Sequence, residues 1–136
     1  MKLTYLRLVA IALVATCCMS LLAPVTMAAP VPWTALVDVY AHIHKNSSNE
    51  IVCTATTIIR AGYELELTAE LYRWDFGTWN LVDDWSGDMV SPRFSSIEGK
   101  HPAMPGALYV NKVTARAYEN SVLIDECIIS TGVIVG

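Results

Sequence analysis

Apolar and polar residues alternate with a period of two through most of the chain after residue 34, the pattern of half-buried β-strands. The alternation is clearest over residues 64–71, which predict an antiparallel strand with one face in a core and one in water. Its apolar members are Leu65, Leu67, Ala69 and Leu71, and its polar members are Glu64, Glu66, Thr68 and Glu70.

The other strands are predicted from the same pattern. A first strand over residues 35–44 has Ala35, Val37, Val39, Ala41 and Ile43 on its inner face. Trp79, Val82 and Trp85 break the period of two, so we expect a bulge or strong twist near Asp83. Prolines limit the next region to an edge strand around 89–97.

The last strand, Val122–Ile129, is mostly apolar on both faces, which predicts that it is well covered. About seven short strands at hairpin spacing, without a helical period, predict an all-β fold. We expect an antiparallel immunoglobulin-like β-sandwich, with a small barrel as the alternative.

The first 28 residues have the order of charges and apolar residues found in a signal peptide. Lys2 and Arg7 precede an apolar run, Leu8–Leu22, and Ala28 is a small residue at the expected cleavage point. Cleavage there leaves residues 29–136 as a single secreted, extracellular domain with no membrane span. The alternatives are an uncleaved membrane anchor of about 20 residues and lipid attachment at Cys17.

The net charge of the chain argues against nucleic acid as a partner. Loss of Lys2 and Arg7 with the leader lowers the basic count from 9 to 7 against 13 acidic residues, so the net charge becomes −6. A phosphate backbone would be repelled by this charge, so we expect no binding to nucleic acid.

Cys53 and Cys127 are the two cysteines outside the leader, and both alternate in phase with apolar residues. In a secreted chain, such a pair on inward faces is most simply a disulfide. The bond would close a loop of about 75 residues and stabilise the fold by roughly 4.5 kcal/mol. The alternative is two free thiols.

His42 and His44 lie two residues apart on the first strand, so both rings project from one face. This spacing can bind zinc or copper if a third ligand is present, and His101 is the only other histidine. The alternative is two solvated histidines. The sequence predicts no cofactor.

Trp74 and Trp79 flank a hairpin turn, and Tyr72 shares a face with Trp74, so these exposed aromatic side chains could stack against a ligand such as a sugar ring. The same side chains could instead clasp the hairpin by cross-strand contact. No serine has a relay partner and no Gly-x-Ser-x-Gly motif occurs, so we expect no enzymatic activity.

Several motifs resemble an uncharacterised family of small secreted proteins from Gram-positive bacteria. They are Val52-Cys53-Thr54, residues 67–73, Gly77-Thr78-Trp79 with Trp85, residues 106–109, and Asp125-Glu126. The resemblance covers residues 50–136 and implies a compact β-sandwich with a leader, and no catalytic residues. The chain departs from the family pattern at Val110, where an arginine is expected.

These observations favour a secreted, non-enzymatic binding module whose partner is an extracellular protein or glycan. One alternative is a metal-dependent hydrolase using His42 and His44. Another is a structural assembly subunit, in which the apolar segment Ile128–Val135 pairs with the sheet edge of a neighbour.

Overall fold

The computed structural model describes residues 32–89 and 93–134. This part of the chain forms seven β-strands, and no helix within it could cross a membrane. The predicted leader, residues 1–28, lies outside the described residues. The strands are β1 (Leu36–Lys45), β2 (Glu50–Ile59), β3 (Glu64–Asp75), β4 (Thr78–Met89), β5 (Phe94–Pro102), β6 (Leu108–Glu119) and β7 (Val122–Ile134).

The strands form two sheets that pack face to face. One sheet has three strands in the order β1-β2-β5, and the other has four in the order β4-β3-β6-β7. All neighbouring strands are antiparallel. The predicted all-β, immunoglobulin-like β-sandwich of seven strands is therefore confirmed, and the barrel alternative is not adopted.

Strand β3 follows its predicted alternation closely. Its four apolar side chains are buried between the sheets, and the intervening side chains are partly or fully exposed. Strand β1 departs from its prediction, because a register shift between Leu36 and Asp38 reverses the alternation there. Leu36 is buried in the core as a result, whereas Val37 is 50% exposed.

Strand β4 contains the predicted irregularity. Leu71 of β3 pairs with Asp83, but the next residue, Tyr72, pairs with Leu81, so Val82 is an extra residue without a partner. A single extra residue reverses which side chains face the core. Trp85 accordingly pairs with buried Ala69 and packs against the core.

Trp85 contacts both clusters of buried side chains that make up the core. Its indole lies on Gly99 of β5, where an added Cβ would be 1.9 Å from Trp85 Cδ2. Glycine is therefore required at this position by close packing between the two sheets, and not by its backbone conformation.

Tyr109, near the start of β6, is completely buried. Its hydroxyl oxygen accepts a hydrogen bond of 3.1 Å from the backbone N–H of Met104, five residues earlier. This is the tyrosine corner found in immunoglobulin-like sandwiches, which ties the connection between two strands to the strand that follows.

Two polar side chains link the sheets. Asn111 of β6 donates hydrogen bonds from Nδ2 to the carbonyls of His42 (3.0 Å) and Thr54 (3.3 Å) in the opposite sheet. Asp125 of β7 accepts hydrogen bonds from the backbone N–H groups of Ala35 (2.5 Å) and Leu36 (3.0 Å) at the start of β1.

Both cysteines are buried, as their apolar phase predicted, but the predicted disulfide is wrong. Cys53 and Cys127 are free thiols in the structure. They belong to different core clusters: Cys53, on β2, packs with Ile43, Leu71 and Tyr109, whereas Cys127, on β7, packs with the other cluster. Burial, with a smaller effect of Asp83, raises the pKa of Cys53 to about 12, which keeps the thiol protonated and unreactive.

Two predictions about strand bounds and cover are also corrected. The edge strand expected around 89–97 is β5, which begins at Phe94 and continues to Pro102, while Met89 ends β4. Strand β7 was expected to be well covered, but it is an edge strand, and Ile128 on its outer face is 53% exposed.

We predict that Gly99→Ala destabilises the protein by about 1–3 kcal/mol, because overpacking forces a buried ring to move. Urea denaturation at neutral pH measures this change. The control is Trp85→Leu combined with Gly99→Ala, since the smaller side chain makes room for the added methyl group. The double variant should lose less stability than the sum of the two single variants; an additive result would contradict the proposed contact.

We also predict that Asp125→Ala costs roughly 1–3 kcal/mol, because two buried N–H groups lose their acceptor. Partial burial acts to raise the pKa of Asp125. The backbone hydrogen bonds from Ala35, Leu36 and Thr34, with the charge of Arg60, outweigh that effect and hold the pKa below its ordinary value.

Because the pKa of Asp125 is lower in the folded protein than in the unfolded chain, this side chain contributes less to stability in acid. The stabilisation by Asp125 is complete above the unfolded carboxyl pKa of about 3.9 and is lost as the pH falls through the lower folded value. The stability difference between the wild-type protein and Asp125→Ala should therefore shrink on acidification. Glu119→Gln, which changes an exposed carboxylate, serves as the control. A difference that grows in acid would refute this assignment.

Candidate ligand-binding site

The three aromatic residues predicted as a ligand platform lie together on the β3–β4 hairpin. Trp74 and Trp79 are direct cross-strand partners, and their rings meet edge to face with centroids 5.2 Å apart. Their side chains remain accessible, at 44% and 40% exposure. The structure therefore contains the predicted cross-strand clasp, and its rings also face solvent.

Residues from all four strands of the larger sheet form a shallow, open site on its outer face. We call this site the aromatic cleft, and its volume is about 310 Å³. It is lined by Tyr72 of β3, Trp79 of β4, Val110 and Lys112 of β6, and Ser130 of β7. Two of the three predicted platform residues, Tyr72 and Trp79, thus line one site, and Trp74 supports Trp79 from the side.

The aromatic cleft depends on the bulge at Val82. Trp79 and Trp85 are six residues apart, so in a regular strand both would point to the same face. The extra residue leaves Trp79 and Leu81 on the outer face with Tyr72, while Trp85 enters the core. Leu81 is exposed beside Tyr72, its cross-strand partner, and extends the apolar surface.

A hydrogen-bonded group of polar side chains holds one wall of the cleft. Lys112 Nζ lies 2.8 Å from Glu70 Oε2, and the Tyr72 hydroxyl donates to Glu70 Oε1 at 3.1 Å. Lys112 Nζ is also 5.8 Å from the centre of the Tyr72 ring, within range of a cation–π interaction. These contacts restrict the orientation of the Tyr72 ring.

The same contacts keep Glu70 and Lys112 charged. The hydrogen bond from Lys112 is the main cause of a lowered pKa at Glu70, and it outweighs the effect of partial burial. The same bond raises the pKa of Lys112 against partial desolvation. A carboxylate held in this way stays ionised at neutral pH, so it has no proton to donate as a general acid.

Two further glutamates on this face, Glu66 and Glu126, are ion-paired with Arg116 of β6. Arg116 contacts Glu66 Oε1 at 3.3 Å and Glu126 Oε2 at 2.6 Å, and the Tyr118 hydroxyl donates to Glu66 Oε2 at 2.8 Å. The outer face of the larger sheet therefore has an aromatic end, with the cleft, and an ion-paired end.

The three histidines lie in two separate places. His42 and His44 are exposed on β1, on the outer face of the smaller sheet, with their Nδ1 atoms 3.4 Å apart. His101 instead meets Asp83 of the opposite sheet, with Nδ1 3.1 Å from Oδ2. Within residues 32–89 and 93–134, no group of three or more His, Cys, Asp and Glu side chains could hold a metal ion.

Sequence reasoning missed Val110, Lys112 and Ser130, which complete the cleft. The alternation of apolar and polar residues in β6 and β7 predicts that these three side chains face outward. Their proximity to Tyr72 depends on strand order and register, in which Val110 pairs with Tyr72 and Lys112 with Ser130. Alternation alone carries no information about which strands are neighbours.

No protein-family model and no curated protein sequence matches this chain. Among solved structures, a β-glucuronidase 2 from Bacteroides uniformis is similar over 68% of this chain, with 15% identity and a TM-score of 0.43. A putative β-galactosidase from Bacteroides fragilis is similar over 70%, with 21% identity and a TM-score of 0.41. The matches span only 12% and 16% of those two chains, and no activity is inferred from them.

We predict that Trp74 and Trp79 stabilise the hairpin jointly, with a coupling of roughly 0.5–1.5 kcal/mol, as for other edge-to-face aromatic pairs. A double-mutant cycle with Trp74→Ala and Trp79→Ala, followed by urea denaturation, measures it. The control is a second cycle that combines Trp74→Ala with Phe94→Ala, because Phe94 is an exposed aromatic residue of the other sheet. That control should be additive, and an equally additive Trp74–Trp79 cycle would show that the clasp contributes nothing.

Proposed function

We propose that this protein is a secreted, non-enzymatic binding module that holds a carbohydrate chain in the aromatic cleft. The observation that carries the proposal is the cleft itself. Tyr72 and Trp79 line a shallow, largely apolar site together with Val110, and the side chains of Lys112 and Ser130 complete its lining. Apolar walls with a few convergent polar groups are typical of small-molecule sites.

The chemistry of a sugar ring suits this arrangement. One face of a pyranose presents C–H groups, which pack on an aromatic ring, while its edge presents hydroxyl groups that need hydrogen-bond partners. Tyr72, Trp79 and Val110 supply the apolar surface, and Lys112 and Ser130 supply donors and an acceptor. A volume of about 310 Å³ is at the lower end of the usual range for ligand sites, roughly 300–1,000 Å³.

Binding without hydrolysis is favoured by the state of the carboxylates. Glycoside hydrolysis in most enzymes needs two carboxyl groups flanking the scissile bond. None of the described residues that line the cleft carries a carboxyl group. Glu70, beside the cleft, is already held by Lys112 and the Tyr72 hydroxyl. We therefore propose a binding role, and not glycoside hydrolysis, for this site.

Assembly is a second candidate, supported by one observation at the other end of the sheet. The β6–β7 hairpin leaves Val122, Leu123 and Ile128 exposed on an edge strand. An edge strand has unpaired backbone groups that can add a strand from another chain. Light scattering with size-exclusion chromatography tests this candidate, because a monomer at all accessible concentrations would contradict it.

The carbohydrate proposal predicts that Trp79→Ala weakens binding at least about tenfold. Truncation of an aromatic anchor typically costs about 2 kcal/mol, and 1.4 kcal/mol corresponds to a factor of ten. The purified protein is first screened on an array of cell-wall and host glycans. Affinity for the best glycan is then measured by calorimetry for the wild type and each variant.

Phe76→Ala is the matched control, because Phe76 is fully exposed in the same hairpin turn but does not line the cleft. It should bind like the wild type. Lys112→Met removes the charged group from the lining of the cleft but retains both aromatic rings, so it tests whether Lys112 contributes to glycan affinity. The proposal is rejected if the array is blank, or if Trp79→Ala and Lys112→Met both bind with wild-type affinity.

A further inference from the structure

His42 and His44 form a pair on the outer face of the smaller sheet, opposite to the face that carries the aromatic cleft. Both side chains are exposed, while Ile43 between them is buried in the core. Their Nδ1 atoms are 3.4 Å apart, with ring centroids 5.2 Å apart and ring planes inclined by 46°. The pair is not explained by the packing of the core or by carbohydrate binding.

The distance between the two nitrogens suits a shared metal ion better than a shared proton. Protein N–H donors usually lie 2.7–3.2 Å from an oxygen acceptor, so the 3.4 Å between the two ring nitrogens is at the long end for a hydrogen bond. Two donor atoms about 2.05 Å from a tetrahedral metal ion lie about 3.3 Å apart. The observed separation is therefore close to that of two histidine ligands on one tetrahedral ion.

The backbone that carries the pair is held along one edge by β2 and from the core by Asn111. His42 and His44 pair with Thr54 and Val52 in the β1–β2 ladder. From the core side, Asn111 donates a hydrogen bond of 3.0 Å to the carbonyl of His42. Sites on regular strands hold ligand geometry more precisely than sites on loops, so little backbone ordering is needed when a metal ion binds.

No cationic residue is paired with either histidine across the ladder, because their partners are a threonine and a valine. A positively charged metal ion would thus meet no like charge at the paired positions. The imidazole nitrogens are the type of ligand that zinc, copper and nickel prefer. Calcium and magnesium, which require oxygen ligands, are not suited to the pair.

We propose that His42 and His44 form an open, two-histidine site for Zn²⁺ or a similar borderline transition-metal ion. Water molecules complete the coordination, since no group of three metal-ligating side chains occurs in residues 32–89 and 93–134. The site is distinct from the aromatic cleft and does not depend on carbohydrate binding. Its open positions are available to a ligand atom from a partner, so the ion can also link the protein to another surface.

The test uses Zn²⁺, which has no redox chemistry and so does not oxidise the free thiols. Calorimetry of the purified wild-type protein should show one Zn²⁺ bound per chain. His42→Ala and His44→Ala should each weaken binding by more than the roughly 10–100-fold that loss of an outer-shell partner costs. Both residues are exposed, so circular dichroism should report an unchanged fold.

His101→Ala is the matched control, since His101 lies between the sheets beside Asp83. It should leave Zn²⁺ affinity unchanged. In the wild type, NMR spectra should show ring signals of His42 and His44 that shift with Zn²⁺ and a His101 signal that does not. The site is disproved if saturable one-to-one binding is absent, if it survives in the His42→Ala/His44→Ala double variant, or if His101→Ala abolishes it. None of these results bears on glycan binding, which is measured separately with Trp79→Ala.

Discussion

The extra residue in β4, Val82, connects the core of this protein to its surface. Without it, Trp79, Leu81 and Trp85 would all point to one face of the sheet, and either the core would lose a large side chain or the surface would lose its aromatic residues. The register shift opposite Leu71 and Tyr72 separates them. Trp85 then packs on Gly99 and joins the two core clusters, while Trp79 completes the aromatic cleft.

The two sheets are held together by packing and hydrogen bonds, with no covalent link between Cys53 and Cys127. The Tyr109 hydroxyl, the Asn111 amide and the Asp125 carboxylate each bond to backbone groups on another segment. Each such bond contributes about 1 kcal/mol, and up to about 3 kcal/mol where a charged group takes part. Together they are comparable to the roughly 4.5 kcal/mol that the predicted disulfide would have contributed.

The outer faces of the sandwich carry different chemistry. On the four-stranded sheet, the Glu70–Lys112 ion pair lies beside an apolar, aromatic cleft, and the Glu66–Arg116 pair lies toward the other end of the face. On the three-stranded sheet, His42 and His44 present two nitrogens at the spacing of metal ligands. One module could therefore bind a carbohydrate on one face and a metal ion on the other, with the core between them acting as a rigid support.

The sequence by itself determined the strand composition, the buried face of β3 and the irregularity near Asp83, because each is local and repeats with a period of two. It also indicated candidate site residues, which are Tyr72, Trp74 and Trp79 for ligand binding and His42 and His44 for metal binding. Alternation shows that a side chain faces inward, but it does not show which strand it meets. For that reason the sequence predicted a disulfide between Cys53 and Cys127. It also predicted cover on both faces of β7, which is an edge strand with an exposed outer face. Only strand order and register, which depend on contacts distant in sequence, brought Val110, Lys112 and Ser130 to the aromatic residues and placed the two cysteines in different parts of the core.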